Sequence, residues 1–299
     1  MTSLQDKVVF ITGGARGIGA EVARRLSARG AKLVLIDLDK GELKALAAEL
    51  GEDRVLTAVA DVRDLPAMQA AAAKAVERFG GIDVAVANAG IISCGSLLHV
   101  DPDAVKRVLD INVLGVFHTV RAALPAVIDR RGYVLIVSSL AAYAAAPGLA
   151  PYNASKAGIE ILANALRLEV GHLGVGVGSA HMSWIDTALV RDSKADMPSF
   201  GELLARLPWP LNKTTTVDAC ADAFVKGIEA RADRIYCPRW VGLFRWLKPV
   251  LSTPVGELPI RKTTAELLPR MDAEAAALGR SMSAFNVESL RQTGGFSPN

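Results

Sequence analysis

The stretch that most limits what this chain can fold into lies near its start. Residues 7–12 read K-V-V-F-I-T, a β-branched run of the kind buried on both faces of a parallel sheet. Gly13-Gly14-Ala15-Arg16-Gly17-Ile18-Gly19 follows, and residues 20–29 then carry helical periodicity. Glycines permit a tight turn and close backbone approach, while a helix N-terminus offers free N–H groups and a positive dipole end to a pyrophosphate. The spacing is T-G-x-x-x-G-x-G rather than the commoner G-x-G-x-x-G, but strand and helix flank it as a dinucleotide site requires. Gly13, Arg16, Gly17, Ile18 and Gly19 are therefore candidate cofactor contacts.

Strand and helix alternate from there on, which predicts an α/β fold built as one doubly wound parallel sheet with right-handed crossovers. Strands at 32–36, 55–59, 82–87, 133–137, 175–179 and 234–237 bring the sheet to seven. Helices are predicted over 41–50, 65–79, 101–128, 157–170 and 217–230. The proline-bearing stretch 191–213 reads as a mobile loop or short helices over the crevice at the strands' carboxyl ends.

Candidate site residues fall at those strand ends. Asp37 lies about 20 residues past the glycine loop, where a carboxylate accepts hydrogen bonds from ribose hydroxyls and repels a 2′-phosphate. It favours NAD over NADP, although Arg16 in the loop offers a phosphate partial rescue. Asp61, beside Val62, is placed to reach an adenine amino group, to cap the helix over 65–79, or both. Asn88-Ala89-Gly90 supplies small residues where a cofactor must come close, and Asn112 sits in an otherwise aliphatic helix, where it needs hydrogen-bond partners. Ser138 and Ser139 end the fifth strand. Tyr152 and Lys156, four residues apart, share one helix face. An ammonium beside a phenol favours the phenolate, so Lys156 is expected to lower the Tyr152 pKa from its ordinary value of about 10, toward general acid–base work.

Composition narrows the alternatives. Of 299 residues 51% are hydrophobic and only 5% aromatic, so the core must be aliphatic. A net charge of +3 with interspersed signs argues against a nucleic-acid partner. Cys94, Cys220 and Cys237 are far apart and read as reduced thiols, and His99, His118, His172 and His181 form no ligand spacing, so no metal is expected. There is no leader-like N-terminus and no uninterrupted apolar run of the roughly 20 residues a membrane span needs, so a cytoplasmic location is expected.

Taken together, T-G-x-x-x-G-x-G at residues 12–19, Asn88-Ala89-Gly90, Asn112, Ser139 and Tyr152-x-x-x-Lys156 resemble the short-chain dehydrogenase/reductase family in order and spacing, over about the first 240 residues. The resemblance implies a Rossmann fold over 1–240 and an oxidoreductase moving hydride between nicotinamide and the carbinol or carbonyl carbon of its substrate. It casts Tyr152 as general acid/base and has Lys156 tune it and bind the nicotinamide ribose. Ser139, chosen over Ser138 by its 13-residue distance from Tyr152, would orient the substrate oxygen, and Asn112 would hold a water linking Lys156 to solvent. Ile185 and Thr187 stand where the family meets the carboxamide or diphosphate. An apolar secondary alcohol or ketone is the expected substrate. Alternatives are an NADP-dependent reductase of acyl or steroid-like carbonyls at a membrane, and a non-catalytic NAD(H)-sensing protein. A homodimer or homotetramer through the helices at 101–128 and 157–170 is implied as well.

The chain departs from the family twice. Met182-Ser183 stands where Pro-Gly is usual, beside the expected nicotinamide position, and His181 and Trp184 nearby read as packed rather than pocket-lining. The second departure is the extension at 241–299. Its stretch 240–251 is apolar and aromatic without a clean helical face, and suits packing over the cleft, against another subunit, or in a membrane interface. Residues 263–282 read as an amphipathic helix carrying Leu267, Leu268, Met271 and Leu278, and the last residues as disordered.

Overall fold

The structure is a computed structural model and describes residues 2–281. Its first half runs β1 (Val8–Thr12), α1 (Gly17–Ser27), β2 (Lys32–Asp37), α2 (Lys40–Leu50), β3 (Val55–Val59), α3 (Leu65–Phe79), β4 (Val84–Ala87), α4 (Pro102–Leu109) and α5 (Gly115–Asp129). The second half runs β5 (Tyr133–Val137), α6 (Ala150–Val170), β6 (Gly176–Met182), β7 (Trp184–Ile185), α7 (Ala188–Asp196), α8 (Pro198–Ala205), β8 (Thr214–Thr215), α9 (Val217–Glu229), β9 (Arg234–Cys237), α10 (Val241–Leu251) and α11 (Pro254–Leu278).

Seven strands form one parallel sheet in the order β3-β2-β1-β4-β5-β6-β9, and β7 pairs with β8 apart from it. Every residue of β1, β4 and β5 is buried, as expected of strands covered on both faces. On one face Val22 and Leu26 of α1 and Leu43 of α2 share a core with Phe224 and Ile228 of α9. On the other, Met68 of α3, Val116 and Val120 of α5 and Ile159 and Ala163 of α6 complete the second layer. Strand order reverses between β1 and β4, so a crevice opens there at the strands' carboxyl ends.

The predicted helix over 101–128 is interrupted. A π-turn at Asp110–Leu114 separates α4 from α5. It coincides with the clamp of Asn112 on the Ile91 backbone, and with Gly115, where a Cβ would lie 2.6 Å from Val62 Cγ2. The whole run Pro102–Asp129 is apolar and long enough to cross a membrane by composition, yet Val116, Val120, Ala123 and Val127 pack it on the sheet as a core helix.

Several predicted boundaries move. β6 extends to Met182, because its edge continues to pair with β9 through Met182 and Cys237. The stretch after Trp240 is a helix, α10, with Val241 and Phe244 buried. α11 begins at Pro254 instead of residue 263, because proline is tolerated in a first turn and Thr253 caps it by accepting from Gly256 N at 3.3 Å. Leu267 and Met271 dock α11, whereas Leu278 is exposed. The expected disorder at the end of the chain concerns residues 282–299, outside the described residues.

Candidate active site

The glycine loop is held by its neighbours before any ligand arrives. Gly13 adopts a left-handed φ of 62°, where a Cβ would also strike Asn88 and Ala89. Asn88 Nδ2 donates to the carbonyls of Thr12 and Gly13, each at 3.0 Å. A Cβ on Gly19 would lie 2.1 Å from Gly13 O, so α1 can start against the loop only with glycine there. Gly19 faces that contact and does not reach the cavity in front, unlike Gly13, Arg16, Gly17 and Ile18.

That cavity, of about 660 Å³, runs from the loop along the strand ends. Asp37, Asp61, Val62, Asn88, Ala89, Gly90, Ser139, Tyr152, Lys156, Ile185 and Thr187 all line it. The Asp37 carboxylate accepts from Ala15 N at 3.0 Å and Leu38 N at 2.8 Å, which aims it across the loop. Arg16 pairs with Asp39, so the cation considered as a phosphate rescue has an acidic partner already. Asp61 grips Arg63 through both carboxylate oxygens and does not cap α3; Asp64 does, accepting from Ala67 N at 3.0 Å. The cap role expected of Asp61 falls to Asp64 because only Asp64 stands immediately before the first turn. A groove with a helix N-terminus at one end and the Asp37 carboxylate on its wall fits a dinucleotide.

The far end of this groove holds the proton-transfer candidates. α6 starts at Ala150, so Tyr152 and Lys156 both lie on it, one turn apart. Lys156 Nζ donates to Val137 O at 2.9 Å and lies 5.6 Å from the Tyr152 ring centre. The two serines divide their work. Ser138 Oγ donates to Lys156 O at 2.9 Å and fastens α6 to β5, whereas Ser139 Oγ accepts from Ala141 N at 3.1 Å and stands beside the Tyr152 phenol, favouring its ionised form. Asn112 stands behind the wall: its Nδ2 donates to Ile91 O and Ser155 Oγ, and its Oδ1 accepts from Ile91 N. Ser155 in turn donates to Tyr152 O at 2.7 Å, so Asn112 braces the helix turn that carries the phenol.

The expected lowering of the Tyr152 pKa is not what this arrangement produces. Burial pushes the phenol above its ordinary value, and the Ser139 hydroxyl offsets only part of that. The same burial lowers Lys156 from 10.5 to about 8, so its ammonium is held at a cost it would not have in water. Both shifts have one origin: a wall that excludes water penalises whichever form is ionised.

Beyond Tyr152 the cavity turns apolar. Leu149, Trp184, Phe200, Leu204 and Leu207 line it, with Phe244, Leu251 and Ile260 from α10 and α11. Residues 188–205 are two short helices, of which α8 packs on α11 through Leu203, Leu204, Leu267 and Met271.

The short chain dehydrogenase family model matches residues 7–198, the segment that contains both halves of this groove. The chain belongs to the short-chain dehydrogenase family. It is an oxidoreductase by that membership. An uncharacterized NAD-dependent oxidoreductase of Mycobacterium tuberculosis is 35% identical over 207 residues, covering 63% of this chain and 74% of that one. Trans-4-hydroxycyclohexanecarboxylate dehydrogenase of Sinomonas cyclohexanicum is 35% identical over 206 residues, 66% of this chain and 78% of that one. Among solved structures, a short-chain dehydrogenase/reductase (glucose/ribitol dehydrogenase) of Brucella melitensis superposes with a TM-score of 0.71 at 29% identity, covering 79% and 96% of the two chains. A 3-ketoacyl-(acyl-carrier-protein) reductase of the same organism, complexed with NADH, gives 0.68 at 27% identity, covering 78% and 97%.

This short-chain dehydrogenase has site features its sequence did not announce. Trp184, expected to be packed, lines the cavity and meets Phe200 edge-on at 5.9 Å. His181 is packed as expected: burial lowers its pKa to about 3, so the neutral ring donates from Nδ1 to Ser139 O at 3.2 Å. Tyr143 stacks on it at 4.5 Å and also lines the cavity. The only sequence signal for Tyr143 was its nearness to Ser139 inside an alanine-rich loop. At the altered turn, Ser183 N donates to Cys237 O at 2.9 Å, so β9 takes over the restraint a proline would exert.

Proposed function

We propose that this oxidoreductase is an NAD(H)-dependent dehydrogenase or reductase that interconverts an apolar secondary alcohol and its ketone. The observation that carries the reading is the cluster of Ser139, Tyr152 and Lys156 at the junction between a dinucleotide-shaped groove and an apolar cavity. When bound, nicotinamide supplies the hydride chemistry. This chain's part is to bind, to orient and to move one proton. Tyr152 exchanges that proton with the substrate oxygen, as acid in reduction and base in oxidation. The Ser139 hydroxyl, beside the phenol, holds the same oxygen and stabilises charge developing on it. Lys156, fixed by Val137 O, orients the nicotinamide ribose and favours the phenolate when protonated. A water relay through Asn112 would use its backbone or the second lone pair of Oδ1, since both amide hydrogens are committed.

NAD is favoured over NADP by Asp37 at the groove wall, and by the pairing of Arg16 with Asp39. The apolar far end, with no arginine or lysine beyond Lys156 among the described residues that line it, supports a substrate without a carboxylate near the reacting carbon. Apolar residues exposed on α5 and α6, such as Phe117, Ile161 and Leu168, support a homodimer or homotetramer through those helices.

The test follows nicotinamide absorbance with NAD and NADP across apolar secondary alcohols and ketones, with Tyr152→Phe beside the wild type. NAD-linked turnover lost in the variant upholds the reading. Preference for NADP would overturn the cofactor assignment, and NADH binding without turnover of any substrate would favour a sensing protein.

A further inference from the structure

α10 uses its two sides for different purposes. Val241 and Phe244 face inward, and Phe244 lines the cavity. Leu243, Trp246, Leu247 and Val250 recur at the i, i+3, i+4, i+7 spacing of one helix face and point to solvent, with Trp246 73% and Val250 56% exposed. Val255 and Leu258 at the start of α11 prolong the exposed apolar surface. Trp209, 79% exposed, stands two residues from Leu211, which packs in the same cluster as Phe244.

The charges along this stripe are mostly of one sign. Residues 239–262 contain Arg239, Arg245, Lys248, Arg261 and Lys262 against a single acid, Glu257, which pairs with Arg261 at 3.0 Å. The Arg245 guanidinium lies over the Trp246 ring at 5.0 Å, bringing a cation to the edge of the apolar face. A second copy meeting this surface across a two-fold axis would oppose these cations to their own kind. An anionic lipid surface would satisfy both components, taking the stripe below its headgroups and the cations among them.

We propose that α10 and the first turns of α11 dock this protein on the surface of an anionic membrane. Ser252, Glu257 and Pro259 are exposed and also line the cavity, so the cavity reaches the surface along this wall. A lipophilic substrate can then pass from the bilayer into the cavity without crossing water. That last use rests on the proposed function; the docking does not.

The test is flotation of the full chain with vesicles of phosphatidylcholine, with and without phosphatidylglycerol. The wild type is expected to float with the anionic vesicles, and to lose binding as salt rises. Leu243→Ser/Trp246→Ser/Val250→Ser is expected to weaken it tenfold or more, since each buried apolar side chain is worth about a factor of ten. None of the three lines the cavity, so folding and turnover of a short, water-soluble alcohol should persist. Arg245→Gln/Lys248→Gln should weaken binding to anionic vesicles alone. The proposal is overturned if the wild type binds neither vesicle, if it binds both equally, or if the triple variant binds as well as the wild type. It is overturned too if light scattering shows that the triple variant breaks an oligomer apart, which would give the face to a second copy. Vesicle binding is read without substrate, so it can fail while turnover succeeds, and the reverse.

Discussion

The two ends of the cavity are built on opposite principles. At the dinucleotide end the contacts come from short runs at the ends of adjacent strands, and the critical groups are backbone, small side chains and one carboxylate. At the substrate end Leu149, Phe200, Leu204 and Ile260 come from segments up to about a hundred residues apart, with no shared motif. The first end recognises a fixed chemical shape, so its geometry must be exact to fractions of an ångström, as the 2.1 Å approach at Gly19 illustrates. The second only has to exclude water and fill space, which many combinations of apolar residues do equally well. Tyr152 sits where the two meet and inherits the dryness of the second, which is why its phenol titrates high.

Variants can sharpen that contrast. Tyr152→Phe should lower turnover by about a thousandfold, within the usual range for removing a general acid or base, while NADH binding measured by fluorescence persists. In the wild type the raised phenol keeps the acid form at neutral pH, so the oxidation rate should climb with pH and reduction fall; a flat profile for both would refute the assignment.

Lys156→Met should lower turnover by about a hundredfold yet raise stability at pH 7. Folded Lys156 titrates at about 8 and an ordinary lysine at 10.5, so the folded state binds fewer protons between these limits and stability rises with pH through that window. Below pH 8 the burial penalty is fully present, at most about 3 kcal/mol, and the lost bond to Val137 O leaves a net gain of roughly 1–2 kcal/mol in the variant. Thermal melts at pH 7 and above pH 10.5 should show that gain appear and vanish.

Asp37→Ala should shift the NAD/NADP preference by about ten- to a hundredfold, read as the ratio of kcat/KM, since a hydrogen bond to a charged group is removed. Leu207→Ala, at the apolar end, should raise KM for the largest substrates about tenfold with the NADH affinity unchanged. If Leu207→Ala altered cofactor affinity instead, the division of the cavity into two independent ends would fail.

By itself the sequence determined the parallel sheet, because fully apolar strands separated by amphipathic helices have no other way to satisfy both faces. It also determined the dinucleotide end and the positions of Ser139, Tyr152 and Lys156, since that chemistry depends on spacings within one turn or one helix face. The tertiary structure decided what spacing does not encode. It assigned Ser138 to the helix backbone and Ser139 to the phenol, made Asp64 rather than Asp61 the cap of α3, and turned 240–251 into a helix with a buried and an exposed side. It also raised the Tyr152 pKa, where the sequence predicts a lowered one, because burial outweighs the neighbouring groups that favour the phenolate. A pKa answers to the summed burial and partners of a side chain, and those are fixed only when distant segments close over it.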